Sequence, residues 1–305
     1  MQINTGRLTN QAGLDSMRLL ALASSSAKRR RLWRIVAKPF RMIYPPLLRK
    51  IGLTQEVVAD TFWKERFYGL LPEVVSSHIW RWGFFEEEVC YFLCTLLQEG
   101  MTFVDVGAHF GFFSLLASHL VGRQGRVIAL EPAPRTHQQL LKNVAAHSNI
   151  TVFQRAAFSE SLALRFNDYG IAHSGYNSAF GIRSTDEHGP RANIINVQAV
   201  RLDDLLDECA VTSIDVVKID AESSEAYVLD GLHNTLTRSK PAIILETGDY
   251  ERSGTPPTAM LVNTLSTAGY VAHDFTHGAI KRHVTRNTYE YGNLLFVAKE
   301  HNVSQ

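Results

Sequence analysis

Hydrophobic and polar positions along the chain fall into two repeating patterns, short apolar runs and longer stretches of helical period. Thr102 to Glu131, TFVDVGAHFGFFSLLASHLVGRQGRVIALE, opens with an apolar run and crosses a glycine-bearing loop. It continues as an apolar helix-like stretch and closes on RVIALE, which, like the first run, ends near an acid. This is a strand–loop–helix–strand unit, which builds a parallel sheet with a ligand crevice at its carboxyl edge. ITVFQRAAFS then predicts a third strand with its exit loop, SIDVVKIDAE a fourth and PAIILET a fifth. The near-continuous run IDVVKI predicts a strand covered on both faces, and Pro241 stands at a strand start, where a missing donor is tolerated. Helices are predicted over PAPRTHQQLLKNVAAHS, with Pro134 near its start, over SSEAYVLDGLHNTLTRS, and from Thr258 to Ala268 before Gly269. YVAHDF and NLLFVAK read as a closing antiparallel pair joined by the basic loop HGAIKRHVTRNTYEYG. The predicted fold class is α/β, with a mostly parallel sheet.

Other segments carry weaker patterns. VVADTFWKERFYGLLPEVVSSHIWRWG reads as a hairpin and a helix, and GFFEEEVCYFLCTLLQEG as a helix stopped at Gly100. SLALRFNDYG is a return strand, and NVQAVRLDDLLDECA an edge strand leading into a helix over Leu202 to Cys209. Between them Asp168 to Asn196, with His173, Tyr176, Arg183, His188 and Arg191, is too long for a plain connection and is expected to be a functional or mobile loop, with His173 and Tyr176 either facing the acceptor or lying on the surface. Residues up to about 26 have mixed composition and only a weak helical stretch at SMRLLALA. The division expected is a basic arm over 1–55, an N-terminal cap over 56–100 and the catalytic domain over 101–300.

Charge changes the picture at one end only. The formal net charge is +1, yet before Gly52 eleven basic residues face a single acid, Asp15. The remainder is acidic on balance, so no nucleic-acid groove is expected there. KRRRLWRIVAKPFRMIYPPLLRKIGL is basic and amphipathic, interrupted by Pro39, Pro45 and Pro46. It fits either peripheral contact with an anionic membrane or lipid-linked substrate, or a helix packed on the domain with a solvated basic face; the second is preferred. Cys90, Cys94 and Cys209 match neither a disulfide framework nor a zinc pattern. No run reaches the roughly 18 apolar residues of a membrane span, and the N-terminus makes a poor secretory signal. A cytoplasmic enzyme is expected, with membrane-peripheral placement and a homo-oligomer left open.

The candidate chemistry sits at the strand ends. Asp105-Val-Gly107-Ala-His109-Phe-Gly111 spaces its glycines as G-x-x-x-G, not as the dinucleotide fingerprint. A carboxylate at Asp105 pointing into the crevice would repel a pyrophosphate and suit an ammonium group. S-adenosylmethionine (SAM) offers one, along with a ribose diol for Glu131 and no phosphate. His109 is expected to meet the cofactor through its backbone, with an acid–base role open to its ring. Asp220 is the best-placed base for a hydroxyl acceptor, and Glu222 the second. Glu222 and Glu225 also read as helix N-terminal acids. Asp220 and Glu246 lie on adjacent strand tips, but the sequence shows no convincing third ligand, and no metal site is assigned.

Four stretches, FVDVGAHFGFFSLLAS, VIALEP, VRLDDLL and KIDAESSEAYVLDGL ahead of IILE, together resemble the FkbM-type SAM-dependent methyltransferases. The family pattern K-I-D-x-E-G, with Glu two residues on, is matched by Lys218, Ile219, Asp220, Glu222 and Glu225, with Ser223 in place of glycine. The resemblance spans Phe84 to Lys299 and implies a doubly wound, seven-stranded, mostly parallel sheet with an antiparallel last strand. It also implies O-methyl transfer from SAM to a hydroxyl of a saccharide, lipid-linked glycan or polyketide-like acceptor. Asp105, Gly107, His109, Gly111, Glu131, Pro132 and Ala157 are the expected cofactor residues; Asp220, Glu222 and His109 are the expected catalytic ones. A non-catalytic SAM-binding protein and a nucleotide-cofactor oxidoreductase are the alternatives.

Overall fold

The structure, a computed structural model, describes residues 11–28, 38–180, 191–249, 255–276 and 278–299. Its spine is an eight-stranded sheet in the order β12-β11-β13-β10-β9-β3-β4-β5. The strands are β3 (Thr102–Val106), β4 (Arg126–Leu130), β5 (Ile150–Phe153), β9 (Val216–Ile219), β10 (Ala242–Thr247), β11 (Tyr270–Thr276), β12 (Ala279–Arg282) and β13 (Gly292–Ala298). β5, β4, β3, β9 and β10 run parallel, and β13 is antiparallel to both β10 and β11. The doubly wound α/β architecture is therefore the one expected, with its antiparallel last strand. The eighth strand, β12, comes from the basic loop, whose Ala279–Arg282 folds back on β11.

The periodicity of the sequence explains these elements. All four residues of β9 are buried, because helices cover both faces. α5 (Phe112–Val121) and α6 (Pro134–Val144) lie on one face, packed with Phe103, Leu115 and Leu140. α7 (Leu202–Glu208), α8 (Glu225–Gly231), α9 (His233–Arg238) and α10 (Thr258–Thr267) enclose a second core around Val104, Val217 and Ile243. The single helix predicted over SSEAYVLDGLHNTLTRS is instead α8 and α9, hinged at Leu232. Gly231 passes so close to Phe158 that a Cβ there would lie 2.0 Å from the Phe158 carbonyl oxygen.

Three further expectations change. AAF is no exit loop: β6 (Ala156–Phe158) pairs with β8 (Asn193–Arg201), which also pairs with β7 (Leu162–Asp168). β8 is thus the middle of a separate three-stranded sheet, not an edge. At the N-terminus, residues 11–27 form a regular helix, α1 (Gln11–Ala27), packed on α4 (Glu87–Leu96). Its inward stripe is Gly13, Ser16, Leu20 and Ser24; small residues permit close approach yet give little apolar signal, so the pattern looked weak. Pro45 and Pro46 lie inside a helix, α2 (Pro39–Ile51), rather than breaking it. Pro45 cannot donate to the Arg41 carbonyl one turn back, and that oxygen instead accepts from Arg81 Nε at 2.9 Å.

The predicted hairpin and helix are β1 (Gln55–Asp60) with β2 (Arg66–Leu71), and α3 (Val74–Trp82). Glu73 caps α3 by accepting from the backbone N–H groups of Val75 and Ser76. None of the described helices is long and apolar enough to cross a membrane. Arg183, His188 and arm residues 29–37 lie outside the described residues.

Candidate active site

The turn after β3 exists because backbone must pass backbone at the centre of the sheet. A Cβ on Gly107, at φ +75°, would lie 1.9 Å from the carbonyl oxygen of Asp220. The N–H groups of Gly107 and Ala108 both donate to the Leu130 carbonyl, at 3.0 and 2.9 Å, tying the loop to β4. Glu131, at the tip of β4, is buried, and its two oxygens accept from His109 N at 3.0 Å and Ala133 N at 2.9 Å. Burial outweighs those bonds and pushes its carboxyl up to about 7. Each oxygen keeps a second lone pair, so the residue expected to hold a ribose diol lines the cleft with acceptor capacity left.

Asp105 is not where the sequence reading put it. It is fully buried between strands and is not among the residues that wall the cleft. Its Oδ2 accepts from Ser114 Oγ at 2.6 Å, and its Oδ1 lies 3.9 Å from Lys218 Nζ. The reason is register: β3 and β9 pair Asp105 directly with Lys218. Lys218 is only 1% exposed; its Nζ donates to Asp220 Oδ2 at 2.9 Å and lies 5.1 Å from the Phe113 ring centre. Burial opposes the lysine's charge, but Asp220, Asp105 and Glu86 together hold its pKa above the ordinary value. Burial pushes the Asp105 carboxyl up. Lys218, the one basic residue in IDVVKI, was legible as an anomaly, since a lysine inside a doubly covered strand requires counter-charges.

After β9 the chain turns through two left-handed residues, Glu222 at φ 48° and Ser223 at φ 81°. The glycine of the family pattern answers that conformation; Ser223 adopts it without capping the helix, whose N-cap is Ser224. Glu225 holds the turn, its Oε1 accepting from Ala221 N and Ser223 N at 3.1 Å each. Glu225 thus stands in the first turn of α8, the helix N-terminal acid it was read as. Asp220, Glu222 and Glu246 bring carboxylate oxygens within 4.8 Å of one another, so Glu222 supplies the third acid that the sequence did not reveal. The set can approach a divalent cation, but Lys218 already puts a positive charge on Asp220.

The far wall comes from outside the sheet. His109, at φ 51°, stacks on Phe110 with 4.1 Å between ring centres, and its Nε2 lies 2.7 Å from Ser174 Oγ. Burial lowers its pKa, favouring the neutral ring. Ser174 belongs to a 3-10 helix (Ile171–Tyr176) in the long polar loop. Ser174, Gly175 and Asn177 face the cleft, whereas His173 and Tyr176, read from sequence as either acceptor-facing or surface residues, stack on each other outside its lining. Pro132, Ala156 and Ala157 line the cleft beside Glu131, whereas Gly111 is the N-cap of α5 and is not among the lining residues. Sequence reasoning missed Glu86 entirely. It stands at the N-cap of α4, the helix preceding β3, at φ 41°, accepts a hydrogen bond from Tyr291 Oη, and lines the cleft. Its Oε2 is buried with no hydrogen-bond partner among the described residues. Burial, reinforced by Asp220, raises its carboxyl to about 7.

The cleft is open to solvent on one side and, with the open space at its mouth, has a volume of about 1040 Å³. Beyond the Asp220–Glu225 turn lies a second cavity of about 930 Å³, walled by Glu246, Asp249 and several hydroxyl groups, including Thr255 and Thr288. Glu86, Glu131, Asp220 and Glu222 outnumber Lys218 and Arg155 around the first cleft. Its donor set fits a ligand bearing ammonium and sulfonium charges, and the orphaned Glu86 oxygen fits such a cation better than a phosphate.

A doubly wound sheet with this strand order, a glycine turn after β3 and an acid at the tip of β4 are features of the fold class of SAM-dependent methyltransferases. The model of the methyltransferase FkbM domain matches residues 105–291, more than half of the chain, and the chain belongs to the FkbM methyltransferase family. It is 28% identical over 161 residues to the 31-O-demethyl-FK506 methyltransferase FkbM of Streptomyces tacrolimicus, covering 45% of this chain and 62% of that one. It is 29% identical over 143 residues to Methyltransferase 1 of Beauveria bassiana, covering 42% and 57%. The chain therefore spans less than two thirds of the length of these curated relatives. The crystal structure of a methyltransferase FkbM from Methylobacillus flagellatus superimposes with a TM-score of 0.43 at 20% identity, over 66% of this chain and 44% of that one.

Proposed function

We infer that the chain methylates a hydroxyl oxygen of a small-molecule or glycan acceptor. The observation that carries this reading is the seam between the two cavities. Asp220 and Glu222 line the cofactor cleft, Glu246 lines the second cavity, and the three carboxylates lie within 4.8 Å of one another. An acceptor in the second cavity would present its hydroxyl to carboxylates beside the methyl donor. Oxygen methylation requires the hydroxyl proton to be taken up at or near the transition state, and a carboxylate seam suits that task. SAM, when bound, supplies an electrophilic methyl group on a sulfonium.

The chain's residues divide the remaining work. Glu131 holds the ribose hydroxyls, while Glu86 and Glu222 favour positive charge across the cleft. Asp220 accepts the hydroxyl proton, and Lys218 fixes the orientation of that carboxylate from below. Alignment of acceptor oxygen with methyl carbon is most of the catalysis in such a transfer, and two preformed cavities sharing one wall provide it. The hydroxyl-rich lining of the second cavity supports a polyhydroxylated acceptor.

Labelled SAM incubated with the protein and a cell extract, followed by mass spectrometry, is expected to give one labelled product with the methyl on oxygen. Asp220→Asn is expected to lose about 100-fold or more in turnover while binding SAM within a few-fold of the wild type. Label on nitrogen or carbon would overturn the O-methyl assignment. SAM binding without turnover across hydroxyl acceptors would favour a non-catalytic binding protein.

A further inference from the structure

Helix α2 is amphipathic in the opposite sense to the one its sequence suggested. The expected arrangement was apolar side inward and basic side in water. Instead, the basic residues reach back to the body of the protein. Lys38 Nζ donates to the Arg81 carbonyl at 2.6 Å and lies 5.0 Å from the Trp82 ring centre. Arg41 donates to the Trp80 carbonyl and sits 5.2 Å from that ring centre, and Arg49 donates to the Pro72 carbonyl at 3.1 Å. Facing solvent are Phe40, Ile43, Leu47 and Ile51, 48–63% exposed, with Leu53 continuing the stripe beyond the helix. Successive steps of three, four and four residues place these four side chains within an arc of roughly 80°.

A solvent-facing row of large apolar side chains is unfavourable in water unless something covers it. Charge identifies the occupant. No acidic residue stands between Asp15 and Glu56 in the sequence. Lys50 and the exposed Arg49 flank the apolar stripe, and Lys28 lies upstream. An apolar helix face of this width, flanked on its own helix by the exposed Arg49 and Lys50 and by no acid, matches the boundary of an anionic bilayer, where headgroups meet the cations and acyl chains the side chains.

We propose that α2 is an interfacial anchor that docks the enzyme on an anionic lipid surface through Phe40, Ile43, Leu47 and Ile51. The placement has a functional sense. α2 is bound to α3 through the contacts of Arg41, Lys38 and Arg81, and Val75 near the start of α3 lines the cofactor cleft. Docking would bring the cleft to the membrane surface, where a lipid-linked acceptor is concentrated.

The test is co-sedimentation of the full chain with phosphatidylcholine vesicles and with vesicles containing phosphatidylglycerol, at low and high salt. The wild type is expected to bind the anionic vesicles and to weaken with salt. Ile43→Asp combined with Leu47→Asp is expected to reduce that binding by about tenfold or more. Both positions face solvent, so SAM affinity and melting temperature should be unchanged. The proposal is overturned if the wild type fails to bind anionic vesicles, binds neutral ones equally, or binds no better than the double variant. Light scattering that shows a dimer dispersed by the same double variant would assign the face to a second copy and overturn it as well.

Discussion

Lys218→Met removes the charge at the centre of the site while keeping the volume. Lys218 Nζ lies 2.9 Å from Asp220 Oδ2 and 3.9 Å from Asp105 Oδ1, itself 1% exposed. At an effective dielectric constant of about 20 these two attractions amount to roughly 6 and 4 kcal/mol. The variant also escapes the desolvation cost of the ammonium, several kcal/mol, so the net loss is smaller, about 3–5 kcal/mol. For a domain of this size that lowers the melting temperature by roughly 6–20 °C. Denaturant titration and thermal melts followed by near-ultraviolet circular dichroism would measure it.

The pH dependence of that loss identifies its origin. Burial already raises the Asp105 carboxyl, and without Lys218 it rises further. The folded variant then binds a proton that the unfolded chain has released, so its stability falls as pH rises. The deficit against wild type should therefore shrink between pH 8 and pH 5. Lys218→Met combined with Asp105→Asn should lose at least about 1 kcal/mol less than the sum of the single changes. A deficit below about 1 kcal/mol, or one constant across that pH range, would refute the buried-pair reasoning.

Two further outcomes follow from the same geometry. Glu131 titrates near 7 in the free protein, and bound ribose hydroxyls would stabilise its charged form. SAM affinity should then be about tenfold weaker at pH 6 than at pH 8, with proton release seen by calorimetry in buffers of different ionisation enthalpy; a pH-independent affinity would count against Glu131 as the ribose acceptor. Ser223→Gly relieves a left-handed serine, worth about 1–2 kcal/mol, against a smaller gain in unfolded-chain entropy. The urea midpoint should rise by an amount equivalent to roughly 0.5–1 kcal/mol, and a fall would show that the serine side chain is needed at the turn.

What was legible in the sequence was whatever depends on period and on backbone crowding. Continuous apolar runs gave the parallel strands, and Gly107 marked the place where β3 and β9 leave room for no side chain. What escaped depended on register and direction. Asp105 and Lys218 each look like isolated charges on separate strands, and only the β3–β9 pairing shows that they face each other. With Lys218 beside it, the Asp105 carboxylate turns to the core rather than the crevice. Glu86 escaped because its role comes from a left-handed backbone before α4, which no local pattern announces. α1 was underestimated because it packs through glycine and serine, and α2 was inverted because its cations find carbonyl oxygens on α3.

The β7–β8 hairpin carries a consequence for how such an enzyme diversifies. Seven paired residues, from Leu162 with Ala199 to Asp168 with Asn193, fix the root of the segment that faces the cleft. Doubling the length of a loop rooted this way costs only about 0.6 kcal/mol in closure entropy. The segment beyond Asp168 is therefore an exchangeable cassette: its length and sequence can be replaced while the ladder beneath keeps its register. Exchanging it would reshape the wall of the first cleft, where Ser174 meets His109, and leave the lining of the second cavity untouched.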